Sequence, residues 1–150
     1  MEFVCVALVA LFIFSLLSEK PDSSKTVEEI GNSVIAVTDV SALNKCQNST
    51  FKKEFSLNPN DFDGVFYYAS DSLMEVREVL VVKLADPSQE EVLTDSIKKR
   101  IEDKIVLFSG YAPQEEALLN SYVLECSRGV VLFAVCDNPE QVVQSFKDSL

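Results

Sequence analysis

The sequence predicts a single α+β domain built on a four-stranded, mainly antiparallel sheet, with an apolar helix before it at the N-terminus. Four apolar segments of strand length alternate with helical patterns in the order helix, strand, strand, helix, strand, strand, helix, which gives two strand-strand-helix units. Short turns join the strands of each pair, as is typical of antiparallel pairing. A chain of 150 residues with 47% hydrophobic and 25% charged residues has the size and composition of one globular domain.

The N-terminal segment is the most apolar part of the chain. Residues 3–17 contain one polar side chain and no charge, and as a helix they would span ~22 Å, less than the ~30 Å of a bilayer core. Glu2 stands where a signal sequence carries Lys or Arg, and no clear small-x-small cleavage site follows. Residues 1–18 are therefore expected to be a signal-like sequence or an uncleaved membrane anchor. A buried helix of the domain is the alternative, and cleavage and orientation stay open.

A polar tether, residues 19–25, leads into the predicted domain, residues 26–150. Thr26 and Glu29 have the spacing of a capping box, in which each side chain accepts a hydrogen bond from the other's free backbone N–H. A first helix is predicted over 27–37, because apolar side chains recur there at helical spacing. These are Val27, Ile30, Val34 and Val37.

The first pair of strands is predicted over 65–69 and 79–85, which are rich in β-branched and aromatic residues. A short helix around 42–55 precedes them, followed by turn-forming residues over 58–64. The break between the two strands, at residues 70–74, is expected to be a loop.

The second half repeats this order. Asp86-Pro87 opens the longest predicted helix, which carries an apolar stripe of Leu93, Ile97, Ile101, Ile105 and Phe108. A short helix over 113–119, strands over 122–126 and 130–136, and a terminal helix opened by Asn138-Pro139 follow. The last strand is apolar on both faces, so both sides of the sheet must be covered, and the helix over 27–37 is expected to cover the second side.

Charge and composition exclude several classes of function. Asp and Glu number 24 against 13 Lys and Arg, and the net charge of −11 disfavours binding to nucleic acid. The chain has no histidine, which removes His-based nucleophile activation, imidazole metal ligands and the usual general base. We expect no cofactor and no metal site. The turn-rich stretch 58–64 also fails the spacing of a calcium loop, because Pro59 and Ser70 would occupy its first and last ligand positions.

Four cysteines, at positions 5, 46, 126 and 136, lack zinc-binding spacing. If Arg128-Gly129 is the turn of a hairpin, Cys126 and Cys136 lie ~16 Å apart, beyond the ~7 Å limit for a disulfide. No disulfide is therefore predicted, and both are expected to be small core side chains. Cys46 is the candidate free thiol.

The loop between the first two strands is the place where a binding site is predicted. Asp71, Glu75 and Glu78 are expected to line a shared pocket with Arg77 and Tyr111, because loops held by rigid elements often carry function. A solvated loop in which Arg77 pairs with a neighbouring acid is the alternative. No catalytic residue is assigned.

Several segments resemble a bacterial family of domains of unknown function, found in clostridia and related Gram-positive organisms. The resemblance runs over roughly residues 57–146 and is carried by Ser72–Glu78, Val81–Leu84, Gly110–Gln114 and the turn at Gly129. Members are usually secreted lipoproteins or N-terminally anchored membrane proteins, and the family has no established activity. The resemblance thus implies an extracytoplasmic, membrane-associated location. This chain departs from the pattern in lacking a basic start and a lipidated Cys.

These observations favour a non-enzymatic binding or interaction module, anchored to the cell membrane through residues 3–17 with its domain outside the cytoplasm, or secreted if cleaved. Its partner is expected to be a protein, a cell-envelope component or a small molecule of basic or neutral charge, because the chain is acidic. Two alternatives remain open. One is a hydrolase that uses a carboxylate of Asp71, Glu75 or Glu78, and the other is a self-associating structural domain.

Overall fold

A computed structural model of the chain describes residues 22–150, and within that range the chain forms five α-helices and a five-stranded sheet. The elements are α1 (Val27–Ala36), β1 (Asn44–Lys45), α2 (Asn48–Phe55), β2 (Gly64–Ala69), β3 (Glu78–Lys83), α3 (Gln89–Phe108), α4 (Pro113–Asn120), β4 (Val123–Ser127), β5 (Val130–Val135) and α5 (Pro139–Ser149). The predicted N-terminal apolar helix lies outside these residues. No helix among residues 22–150 is long and apolar enough to cross a membrane.

The sheet has the strand order β1-β2-β3-β5-β4, and every neighbouring pair is antiparallel. The prediction of four strands is wrong, because the described residues add a fifth strand at the edge of β2. There Asn44 pairs with Ala69, and Lys45 pairs with Tyr68. The helix predicted around 42–55 accordingly begins only at Asn48. A strand of two residues has no alternating pattern to recognise, and its backbone pairing depends on a partner distant in sequence.

One face of the sheet is covered by α1 and α5, and we call it the α1–α5 face. Val79 and Val81 of β3 pack there against Ile30 and Val34 of α1, and all four are fully buried. The expectation that the first helix covers the second side of the sheet is therefore confirmed. The capping box that starts α1 is also formed, between Thr26 and Glu29.

The opposite face is covered by α2, α3 and α4, and we call it the α3 face. Leu80 and Val82 of β3 point into it and pack with Ile97 and Ile101 of α3. Cys136 is buried, as expected of a small core side chain. The same expectation is wrong for Cys126, which is exposed on the edge strand β4.

The chain enters the described fold at the turn between β4 and β5. Ser23 is 3% exposed; its N–H donates to the carbonyl of Arg128 at 3.0 Å, and its hydroxyl donates to the carbonyl of Leu150 at 3.4 Å. The last part of the polar segment 19–25 thus contacts the domain. The start of β3 and its loop lie at the opposite end of the sheet, because Lys83 pairs with Val130 while Glu78 pairs with Val135.

Candidate functional site

A cavity of about 370 Å³ opens at the end of the sheet where β2 stops and β3 starts. Its walls come from β1 and the start of α2, from the loop that joins β2 to β3, and from the C-terminal part of α3; we call it the loop cavity. Four of the predicted site residues line it: Asp71, Glu75, Arg77 and Glu78. Tyr111 does not line it, and its side chain is 73% exposed on the segment between α3 and α4.

Glu78 forms the floor of the cavity and is 1% exposed. As the first residue of β3 it shares a side of the strand with Leu80 and Val82, so its carboxylate points toward α3. The hydroxyl of Tyr67 donates to Oε2 of Glu78 at 2.8 Å. Arg100 and Lys104 of α3 both donate to the other oxygen, Lys104 at 3.1 Å. The carboxylate is therefore fully partnered although it is buried.

The charges around Glu78 decide its protonation state. Burial alone would raise the pKa of its carboxyl, but Arg100 and Lys104, together with the hydrogen bonds from Arg100 and Tyr67, outweigh it and hold the pKa below its ordinary value. Burial and the neighbouring carboxylate raise the pKa of Tyr67. Near neutral pH Glu78 is thus ionised and Tyr67 keeps its proton.

Arg100 connects the floor of the cavity to α2. Its side chain is 10% exposed, and its Nη2 and Nε atoms contact Oε2 of Glu54 at 2.9 and 3.1 Å. The guanidinium also lies 4.9 Å from the ring centre of Phe55, within range of a cation–π contact. Sequence patterns did not indicate Arg100 for this site. The sequence feature that could have indicated it is the position of Arg100 between Ile97 and Ile101. A cation beside the apolar stripe of a helix is turned partly toward the core.

The rim of the cavity is held by polar contacts on the loop. Asn44 of β1 donates to Asp71 at 2.8 Å, which connects the edge strand to the loop. Arg77 forms ion pairs with Glu75 at 2.8 Å and with Asp137 at 2.7 Å. The hydrogen bonds from Arg77 lower the pKa of Asp137. The loop is therefore anchored at both of its ends.

Cys46 lies in the wall of the cavity. Burial raises the pKa of its thiol, and the nearby carboxylates of Glu78, Asp71 and Glu54 act in the same direction. The thiol is consequently protonated near neutral pH and is a poor nucleophile.

The lining of the loop cavity combines partnered polar groups with charges. Within residues 22–150, every buried polar side-chain atom has a hydrogen-bond partner. In the same range no cluster of three or more Cys, Asp or Glu side chains could hold a metal ion. The cavity offers fixed charges of both signs and several hydroxyl and amide groups, which are the kinds of group that orient a ligand.

A second concavity, of about 630 Å³, runs between α2 and α3, and we call it the α2–α3 groove. It adjoins the loop cavity, with which it shares Glu54, Arg100, Lys104 and Leu107. Its far end is lined by Val92 near the start of α3.

Comparison with known proteins identifies a family and no described relative. A model of the domain of unknown function DUF4358 matches residues 36–136, two thirds of the chain, and the chain therefore belongs to that family. No curated protein and no solved structure matches it. The match covers β1 through β5, and thus every wall of the loop cavity.

Proposed function

We propose that this member of the DUF4358 family is a non-enzymatic binding module that takes a small ligand, or one end of a larger one, in the loop cavity. The observation that carries the proposal is the cavity itself, whose volume of about 370 Å³ falls within the ~300–1,000 Å³ range of small-molecule pockets. Its floor is a set of buried charges held in fixed positions. Such preorganisation reduces the entropy that binding costs.

The protonation states of the lining residues favour binding over catalysis. A general acid or base needs a pKa near the working pH, whereas the pKa of Glu78 is lowered and those of Tyr67 and Cys46 are raised. Each shift moves the pKa further from neutral pH, so the carboxylate of Glu78 is a weaker base and the hydroxyl of Tyr67 and the thiol of Cys46 are weaker acids. The loop cavity therefore offers little support for a carboxylate-based hydrolase.

The proposal includes a membrane anchor formed by residues 3–17 and a domain outside the cytoplasm. The apolar composition of residues 3–17 is what supports the anchor. Ser23 contacts the turn at Arg128, and the loop cavity lies at the other end of the sheet. The two ends are separated by the length of β5, ~17 Å. A domain held at the Ser23 end would present its loop cavity away from the membrane.

A ligand screen by NMR tests the proposal. Mixtures of amino acids, sugars, nucleotides and short peptides are added to the labelled full chain, and amide shifts are followed. We expect bound compounds to shift the amide signals of residues 44–47, 70–77 and 104–108. The variant Asp71→Asn should lower the affinity for these compounds about tenfold, the effect of ~1.4 kcal/mol for a lost charged contact.

Tyr111→Ala is the matched control, because Tyr111 lies outside the cavity and should leave binding unchanged. Shifts confined to other parts of the fold would contradict the proposal. Turnover of any compound in the mixture would replace it by an enzymatic function.

A further inference from the structure

The α2–α3 groove differs in charge from the rest of the molecule. The whole chain carries 24 acidic and 13 basic residues, yet the groove is lined by four basic side chains and two acidic ones. The basic residues are Lys53, Lys99, Arg100 and Lys104, and the acidic residues are Glu54 and Asp103. A positive groove on an acidic protein is a local feature that net charge conceals.

The carboxylates of the groove do not neutralise all of its cations. Glu54 pairs with Arg100 at 2.9 Å, and Asp103 pairs with Lys99 at 3.1 Å. Among residues 22–150, the ion-pair partner of Lys104 is Glu78 beneath the groove, a carboxylate that Arg100 also contacts. In the described part of the chain, Lys53 forms no ion pair, and its side chain is exposed. With Glu78 included, three carboxylates face the four cations of the groove, and the positive charge left for a partner is that of Lys53.

Apolar side chains stand at the two ends of the same groove. Val92 is 57% exposed near the start of α3, and Leu107 is 73% exposed near its end. Both lie on the groove wall, and the fifteen residues of helix between them span ~22 Å. Leu73 stands beyond Leu107 in the wall of the loop cavity and is also exposed. The groove thus has an apolar contact at each end and cations between them.

We propose that the α2–α3 groove binds an acidic, amphipathic peptide segment of a partner protein, with apolar side chains at its ends and carboxylates between them. Charge complementarity supports this occupant, because an Asp or Glu side chain would pair with the exposed Lys53. The ~22 Å distance suits about four helical turns laid in a groove. The inference goes beyond the proposed function and does not depend on a ligand in the loop cavity.

An anionic membrane surface is the other negatively charged partner that the α2–α3 groove could contact. The groove is concave, and its apolar residues lie at its ends, whereas a membrane-binding face places apolar side chains together on a convex surface. The net charge of −11 also repels an anionic lipid surface, while a peptide is small enough to meet only the groove. The peptide is therefore the better match.

Two pairs of matched variants test the proposal on the full chain in non-ionic detergent. The probe is a fluorescein-labelled helical peptide of about 16 residues with Leu at both ends of one face and Glu between them, and binding is followed by anisotropy. Lys53→Glu should weaken binding about tenfold, the effect of ~1.4 kcal/mol for reversing a charge at the contact. Lys52→Glu is its control, because Lys52 neighbours it on α2 but does not line the groove.

Leu107→Ser should weaken binding of the peptide by at least about tenfold, because burying a Leu side chain contributes ~1.5–3 kcal/mol. Val106→Ser is its control, since Val106 is equally exposed on α3 and lies outside the groove. These four residues are exposed, so folding should persist, and circular dichroism checks it. A second peptide carries Gln in place of Glu. The wild-type protein should bind it about as weakly as the Lys53→Glu variant binds the Glu-containing peptide.

Three results would overturn the proposal. Equal effects of each groove variant and its control would show that the contact is elsewhere. Binding of a soluble short-chain phosphatidylglycerol, but not of the peptide, with the same dependence on Lys53 and Leu107 would assign the groove to a membrane. A dimer in light scattering that Lys53→Glu dissociates would assign it to a second copy of this chain.

Discussion

The two faces of the sheet are covered by helices of different chemistry. On the α1–α5 face the buried cluster is apolar, from Ile30 to Phe146, and Ser149 of α5, which is also buried, carries no charge. On the α3 face the same kind of apolar core ends at Glu78, a buried carboxylate held by Arg100 and Lys104. The loop cavity and the α2–α3 groove lie on this second face, and a further concavity of about 530 Å³ lies between α1 and α5 on the first. Apolar burial contributes stability without directing function, whereas a buried ion network fixes the positions of groups that a ligand could contact.

The largest effect is expected from breaking the α1–α5 face. Phe146→Ala removes a fully buried ring from the centre of that core and should lower the free energy of unfolding by ~3–5 kcal/mol, because a cavity remains. Urea denaturation measures it. The control Glu140→Ala lies on the exposed side of the same helix and should stay within about 0.5 kcal/mol. If Phe146→Ala lowered the free energy of unfolding by less than about 0.5 kcal/mol, this face would contribute little to stability.

The ion network on the α3 face should be the next most sensitive. Glu78→Gln keeps the shape of the side chain but leaves two partly buried cations without their shared carboxylate, which should cost about 3 kcal/mol. The control Glu54→Gln removes a partner of Arg100 that is one-third exposed, and its cost should be smaller. Equal losses in urea denaturation would contradict the central role of Glu78.

The same network predicts a pH dependence. The pKa of Glu78 is lowered in the folded state, so its ionised form contributes stability fully above the ordinary value of about 4.3 and loses it as the pH falls through the lower folded value. The melting temperatures of the wild type and Glu78→Gln should therefore converge as the pH is lowered from 7 toward 2. A gap that stays constant or widens would show that Glu78 is not ionised in the folded protein.

A smaller effect is expected where α1 lies closest to the sheet. A Cβ built on Gly31 would lie 2.4 Å from the ring of Phe66, which is itself buried. Gly31→Ala should therefore destabilise by about 1–2 kcal/mol through overpacking, although Ala favours helix by ~1 kcal/mol. Asn32→Ala, on the exposed side of α1, should stabilise slightly. A more stable Gly31→Ala variant in thermal unfolding would show that the ring can move aside.

The sequence predicted the apolar elements well because their periodicity is local. The central strands β3 and β5 and the apolar stripe of α3 follow directly from this periodicity. The helix that begins after Thr26 does so as well. The edge strand at Asn44 was not predicted, because two residues carry no period and its pairing depends on Ala69, far along the chain. Cys126 was placed in the core because an edge strand cannot be told from a central one by its own residues.

The candidate site was predicted in part. Four of the five residues, Asp71, Glu75, Arg77 and Glu78, do line one cavity, since neighbours along a short segment share a location. Tyr111 lies elsewhere because the end of α3 carries it away from the cavity. Arg100 and Tyr67 contact Glu78 through tertiary structure, because the packing of α3 on the sheet places Arg100 there and the pairing of β2 with β3 places Tyr67 there.

The contact between Ser23 and Leu150 joins the two ends of the described fold. Circular permutation is often tolerated where chain termini lie close together. A short linker from Leu150 to Asp22 could therefore close the chain, with new ends opened between Arg128 and Gly129 at the turn of β4 and β5. In such a permutant the peptide that now enters at Ser23 would be internal, and reporter groups could be attached at that turn without approaching the loop cavity.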